Sequence, residues 1–247
     1  MDPVNINVSQ DQVETLQMLL GIDGSSEAPP PDSDRQDAII VAIDVENAPR
    51  ITKDDSPETV NAQIGFAILD TKDLSNSTAP ADIKTYNFVM GNLEYYRRVS
   101  PDLLFGESFN LTKKEITQKI IDLIPKSRNI VLVGHDIKAD LRAGHALHRL
   151  LTLFGIPFRN LHCAGNDANF TLRLLLLLAI HPLENKCLSA CQEEMLTKLR
   201  QISHAPLPRL NPHSSNLTVD LRWQARRERR KRKVQARLQT LRERLEM

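Results

Sequence analysis

Aromatic residues are scarce: they make up 4% of the 247 residues, with a single Trp. That scarcity excludes a recognition surface built mainly on stacked aromatic rings. Cysteine is scarcer still, with three in the whole chain. So few exclude a disulfide scaffold and suit a reducing compartment. Long apolar runs are missing too. The longest, Leu174 to Ile180, falls far short of the roughly 20 residues that span a bilayer, so no membrane partner is expected. The first twenty residues hold Asp2, Asp11 and Glu14 but no Lys or Arg, and no signal peptide is expected.

Hydrophobic residues reach 41% and charged residues 26%, enough for one domain with a buried core and some extensions. The formal net charge of +1 hides an asymmetry. Residues 217–247 carry eleven Lys/Arg against four Asp/Glu, a net of +7, which leaves residues 1–216 at −6. A basic tail on an acidic body favours polyanions.

The chain divides into an N-terminal appendage and linker (1–37), a folded domain (38–202), a second linker (203–216) and a basic helical tail (217–247). In the appendage, Ser9-Gln10-Asp11-Gln12 reads as a capping box, with Val13, Leu16, Leu19 and Leu20 on one helical stripe. That stripe is either a frayed helix without a role or a docking peptide for a protein partner. Gly24 to Gln36 has linker composition, with Pro29, Pro30 and Pro31.

The domain begins with Ile39-Ile40-Val41-Ala42-Ile43, a β-branched run suited to a strand buried on both faces. Gln63–Leu69 and Thr85–Met90 read as two further strands, and Ile130–Val133 as a fourth, closed by Gly134. Thr112 and Glu115 form a capping box ahead of Ile116, Ile120, Ile121 and Ile124 at helical spacing. Helices follow over Leu147–Phe154, Asp167–Ile180 and Cys187–Ile202, the second of them apolar nearly all round and so buried. The expected class is α/β: a mixed sheet of three antiparallel strands followed by a parallel one, flanked by helices.

Four acidic positions stand out by context. Asp44 and Glu46 close the first strand two residues apart, so both point to one face. Two carboxylates there repel each other unless a cation lies between them. Asp140 follows the fourth strand, Asp167 opens the buried helix, and His162 precedes it by five positions. Hard oxygen ligands of this kind suit Mg²⁺ or Mn²⁺. Two such ions, ~3.5–4 Å apart, can clamp the attacking and leaving oxygens of a phosphodiester. The unperturbed histidine pKa of about 6.5 suits His162 to act as general base near neutrality.

Ile43-Asp44-Val45-Glu46, Gly134-His135-Asp136-Ile137-Lys138-Ala139-Asp140 and His162-Cys163-Ala164-Gly165-Asn166-Asp167-Ala168 resemble the three motifs of the DEDDh superfamily of RNase H-like 3′–5′ exonucleases. The third motif, followed by Thr171, is similar to that of one fungal branch, which takes its name from a yeast factor "good for full activity" of an mRNA-export helicase. Gln63–Thr71, Leu104–Ser108 and Gly155-Ile156-Pro157 also look like stretches of that branch. The resemblance covers roughly residues 38–182. It implies an RNase H-like fold, Asp44, Glu46, Asp140 and Asp167 as ligands of two Mg²⁺ or Mn²⁺ ions, His162 as general base, and RNA or DNA 3′ ends as substrate. The few cysteines and the basic tail suit the cytoplasm, the nucleus or both.

The chain departs from the family pattern in one place. A further strand and helix normally separate the second and third motifs, yet Asp140 and His162 are only 22 positions apart. A helix over 140–154 carries the chain ~21 Å away, and residues 154–162, fully extended, return at most ~26 Å. The chain can therefore just bring His162 back, and the fourth strand is left as an edge. A catalytically impaired module that binds nucleic acid or protein on the same core is the competing expectation.

Lys138 and Arg142 flank Asp140 and read either as phosphate contacts or as solvated charges. The densest basic run is Arg226, Arg227, Arg229, Arg230, Lys231, Arg232 and Lys233, interrupted by Glu228. It reads as a nuclear-import or nucleic-acid patch. Val234, Leu238, Leu241 and Leu245 form an apolar stripe behind it that suits a partner or the body. Phosphate contacts release counterions, so binding through such a tail weakens steeply with salt. Deleting 217–247 is expected to weaken binding of a mixed-sequence oligonucleotide and to flatten its salt dependence. An equal slope in the truncated chain, measured over a salt titration, would show that the tail is only a solvated helix.

Overall fold

The computed structural model describes residues 10–23, 37–51, 60–75, 81–125, 127–134, 146–184 and 186–208. Residues 1–208 form one compact unit and 209–247 a second. All the described residues belong to the first unit.

Three strands run antiparallel in sequence: β1 (Ala38–Glu46), β2 (Ala62–Asp70) and β3 (Lys84–Met90). A short β4 (Glu107–Asn110) adds parallel to β3, and β5 (Asn129–Gly134) adds parallel to β1. The order across the sheet is β4-β3-β2-β1-β5. The expected α/β class, the antiparallel trio and the parallel strand after it are all present. β4 is the addition: it has four residues and one large apolar side chain, Phe109, so its sequence carries no strand periodicity. Among the described residues β5 lies at the sheet edge, with Ile130 40% and Leu132 66% exposed. That is the unpaired edge expected of the fourth strand.

Alternation sets the two faces of the sheet. Ile39 and Val41 of β1 join Phe66, Ile68 and Phe88 under α5 (Lys113–Leu123), which buries Ile116. Helix α5 starts where expected. Thr112 accepts from the Glu115 amide, and the Glu115 carboxylate accepts from the Thr112 amide. Ile40 and Ala42 point to the other face and pack with Ala67 and Leu69 against α7 (Ala164–Ile180). The shorter helices are α2 (Ala48–Ile51), α3 (Thr71–Ser75), α4 (Leu93–Val99) and α6 (Ala146–Leu153). α1 (Gln10–Leu19) and α8 (Ala190–Ser203) complete the second layer with α6 and α7.

Three boundaries differ from the sequence reading by more than one residue. α7 begins at Ala164 rather than Asp167, because Cys163 is the N-cap residue and makes no side-chain capping bond that would mark the start. α8 begins at Ala190 rather than Cys187, because Ser189 and Gln192 close a reciprocal capping box. The third concerns residues 1–37, read as an appendage. Within them α1 is part of the core: Leu16, Leu20 and Ile22 are buried, and the Gln17 side chain donates to the Ala179 carbonyl at 2.7 Å. Leu16 and Leu20 of its stripe pack in the same core as α7, so those two side chains are not left for a protein partner.

At the end of the sheet away from the carboxylates, Arg128 ties three strands. It reaches both oxygens of Asp70 at 2.5 and 2.6 Å and also pairs with Asp37. The Arg128 hydrogen bonds hold Asp70 below the usual carboxylate range. A bond from Lys72, then Arg128, does the same for Asp37.

α7 sits unusually close to the sheet. A Cβ at Gly65 would fall 1.9 Å from the Ala164 carbonyl oxygen, backbone that cannot swing aside. Gly65→Ala is therefore expected to push the α7 N-terminus off β2 and to cost about 3 kcal/mol. In a domain of this size that is a fall in Tm of ~6–12 °C. Thermal unfolding followed by circular dichroism checks it; an unchanged Tm would contradict the close packing.

Candidate functional site

β1 is buried over its first five residues and half-buried from Ile43 to Glu46. Its even positions face α7, so Asp44 and Glu46 emerge on the covered side of the sheet where the apolar packing ends. Asp44 is paired with Gly65 and Glu46 with Gln63. Gly65 is in turn paired with Asn87 of β3. Asp44, Gly65 and Asn87 therefore form one row across three strands. Asn87 is wholly buried, and its Oδ1 accepts the Gly165 amide at 3.3 Å. The row thus offers a carboxylate, a gap and an acceptor, and the first turn of α7 settles into the gap.

That seating fixes Asp167. It lies in the first turn of α7, and its side chain is turned back toward the preceding loop. Oδ2 accepts the His162 backbone amide at 2.8 Å, while Oδ1 is buried without a hydrogen-bond partner. Asp167 is 7% exposed. Burial, then the nearby charge of Asp44, push its pKa well above the aspartate range.

His162 completes the cluster. Its backbone is left-handed, with φ 71°, as is that of Asn160, with φ 51°. The imidazole Nδ1 lies 3.6 Å from Glu46 Oε1, and the ring is 61% exposed. Glu46 raises the His162 pKa, with Asp167 and Asp44 adding to it. One ligand atom from each of Glu46, His162 and Asp167 falls within 4.8 Å of the others. Among the described residues this is the one such group of three or more His, Cys, Asp or Glu side chains.

The structure brings Glu46, His162 and Asp167 together from two separate segments, with Asp44 near enough for its charge to act on His162 and Asp167. Asp140, Lys138, Arg142 and the tail residues 226–233 lie outside the described residues. Asp167 does not cap α7, since the N-cap position belongs to Cys163. Cys163 itself is buried, which holds its thiol protonated. Gln63, Asn87 and Asn166 are buried polar residues around the site that the sequence pattern does not single out. Their one signal in the sequence is a polar residue at a position whose strand or helix neighbours are apolar.

Chemically, three carboxylates against one partly exposed imidazole form an incompletely compensated cluster. Such a cluster attracts a cation or holds protons. The trio Glu46, His162 and Asp167 could hold a metal ion, and the bare Asp167 oxygen offers it a ligand atom. No helix of the described residues is long and apolar enough to cross a membrane. Comparisons with family models, curated proteins and solved structures find no match.

The raised pKa values fix a sign. A group titrating higher in the folded state contributes stability below its unfolded pKa and withdraws it as pH rises through the folded value. For Asp167 the loss begins near the ordinary aspartate value of about 3.9, and for His162 near about 6.5. Asp37 and Asp70, with lowered pKa values, act oppositely, but their contribution is complete above that range. In EDTA, stability should therefore decline from about pH 5 to pH 8, and Asp167→Asn should raise Tm at pH 8. A variant Tm at or below the wild-type value in that buffer would contradict the uncompensated charge.

Proposed function

We infer that this chain is a metal-dependent 3′–5′ exonuclease-like protein that hydrolyses phosphodiester bonds of RNA or DNA on an RNase H-like core. The observation that supports this reading most directly is the buried Asp167 beside Asp44 and Glu46, with one oxygen unsatisfied. The mixed sheet, with carboxylates at the end of its first strand, is compatible with that core.

In this reading Asp44, Glu46, Asp140 and Asp167 hold two Mg²⁺ or Mn²⁺ ions. When bound, the ions would supply positive charge for the attacking water, the leaving oxygen and the scissile phosphate. The remaining chemistry belongs to the chain. Asp167 orients the His162 loop through the amide bond. Glu46 faces Nδ1 of His162, stabilises the imidazolium and leaves Nε2 as the atom that takes the proton from water. Exposure of the ring lets that proton pass to solvent. Lys138 and Arg142 act as phosphate contacts beside Asp140. Arg226, Arg227, Arg229, Arg230, Lys231, Arg232 and Lys233 hold the strand electrostatically, without sequence preference.

One observation favours the alternative, an impaired RNase H-like module that binds nucleic acid or protein without cutting. β5, which ends six residues before Asp140 in the sequence, carries exposed Ile130 and Leu132 and lies at the edge of the sheet among the described residues. A 5′-labelled single-stranded oligonucleotide separates the two readings. The enzyme shortens it stepwise from the 3′ end with Mn²⁺ and not in EDTA, whereas the module binds it intact. Asp44→Ala is expected to slow the shortening at least a hundredfold, roughly 3 kcal/mol of barrier. Undiminished Mn²⁺-dependent cleavage by that variant would remove Asp44 from the site.

A further inference from the structure

Two of the three residues from Asn160 to His162 have left-handed backbone, and neither is glycine. Such a turn persists only where its surroundings hold it. The His162 amide is held by Asp167. The other end is held by the preceding residue of α7, Asn166, which is 0% exposed. Its Nδ2 donates to the Asn160 carbonyl at 3.0 Å and to the Asp102 carbonyl at 2.8 Å. Its Oδ1 accepts the Leu104 amide at 2.8 Å. Asn160 donates its own side chain to the same Asp102 carbonyl at 3.0 Å. One buried amide thus joins the loop before α7 to the 102–104 segment, and both of its donor hydrogens are used.

Consecutive residues of α7 therefore grip the turn from two sides. We propose that Asn166 is the positioning residue for His162: it holds the 160–162 turn in the left-handed conformation that presents the imidazole to Glu46. The geometric part stands on the hydrogen bonds alone. The catalytic part rests on the nuclease reading above.

Alanine at 166 removes all three bonds. Aspartate keeps the shape, loses both donations and sets a carboxylate against two carbonyl oxygens. It serves as the second variant should alanine fail to fold. The control is Leu176→Ala, which opens a cavity in the same helix away from the turn. Amide exchange followed by NMR reads the geometry without any activity. In either Asn166 variant the His162 amide should exchange about tenfold faster, while amides over 172–180 stay protected. Wild-type protection of His162 in both variants would overturn the proposal. On the oligonucleotide with Mn²⁺, kcat should fall about a hundredfold, as for a misplaced base, with KM and Mn²⁺ affinity at wild-type values. An equal kcat loss in Leu176→Ala would reduce Asn166 to a structural role and overturn the catalytic part. A wild-type chain that cuts no nucleic acid would defeat the nuclease reading, and the exchange measurement would then decide the positioning on its own.

Discussion

The first turn of α7 rests on β2 with nothing but backbone between them, and the rest of the site depends on that contact. It requires the absence of a side chain at Gly65, where a Cβ would meet the Ala164 carbonyl at 1.9 Å. Space is also short, though less so, at Gly165, whose Cβ would lie 2.7 Å from a Leu103 methyl and 3.0 Å from Asn87 Cβ. Asn87 then takes the Gly165 amide. With the helix start fixed at the row Asp44–Gly65–Asn87, Asp167 falls beside the β1 carboxylates two residues later. His162, five residues before Asp167, is drawn in by the amide it donates.

Such an arrangement is costly to the folded protein. Asp167 loses water on burial and gains like charges nearby, and both effects favour its neutral form. The cost is borne because α7 is buried almost along its whole length, between the sheet and α1, α6 and α8. Arg173, near the middle of that helix, illustrates the packing. Its guanidinium lies 4.7 Å from the Phe105 ring centroid and donates to the Ala205 carbonyl, and burial lowers its pKa to about 10. At the far end of the sheet, opposite charges are matched around Arg128. Charge is balanced around Arg128 and left unbalanced around Asp167.

Much of this is legible in the sequence. β1, β2, β3 and β5 each carry a β-branched or alternating run, and α5 carries its capping box, because local chemistry and tertiary structure agree there. The start of α7 is not legible, because close packing, and not a cap, determines it: Ala164 and Gly165 are chosen for their small size. α1 reads as an appendage because a leucine stripe does not say whether its partner is another protein or the same chain. β4 is hidden because four residues with one Phe gain their strand character only by pairing with β3. Asp44, Glu46 and Asp167 stand out in the sequence because a carboxylate at the end of an apolar strand or helix conflicts with its surroundings, whereas His162 stands out only through the motif it shares with Asp167. Asn87 and Asn166 do not, because each acts through backbone groups that fold toward it from distant segments.

The proposed function requires a divalent cation held by Asp44, Glu46 and Asp167 where α7 rests on Gly65. A Mn²⁺-soaked crystal, measured at the manganese absorption edge, tests it directly. The account predicts an anomalous peak in contact with carboxylate oxygens of β1 and with the Asp167 oxygen that now lacks a partner. A manganese peak elsewhere on the chain, with no density between β1 and α7, would contradict it.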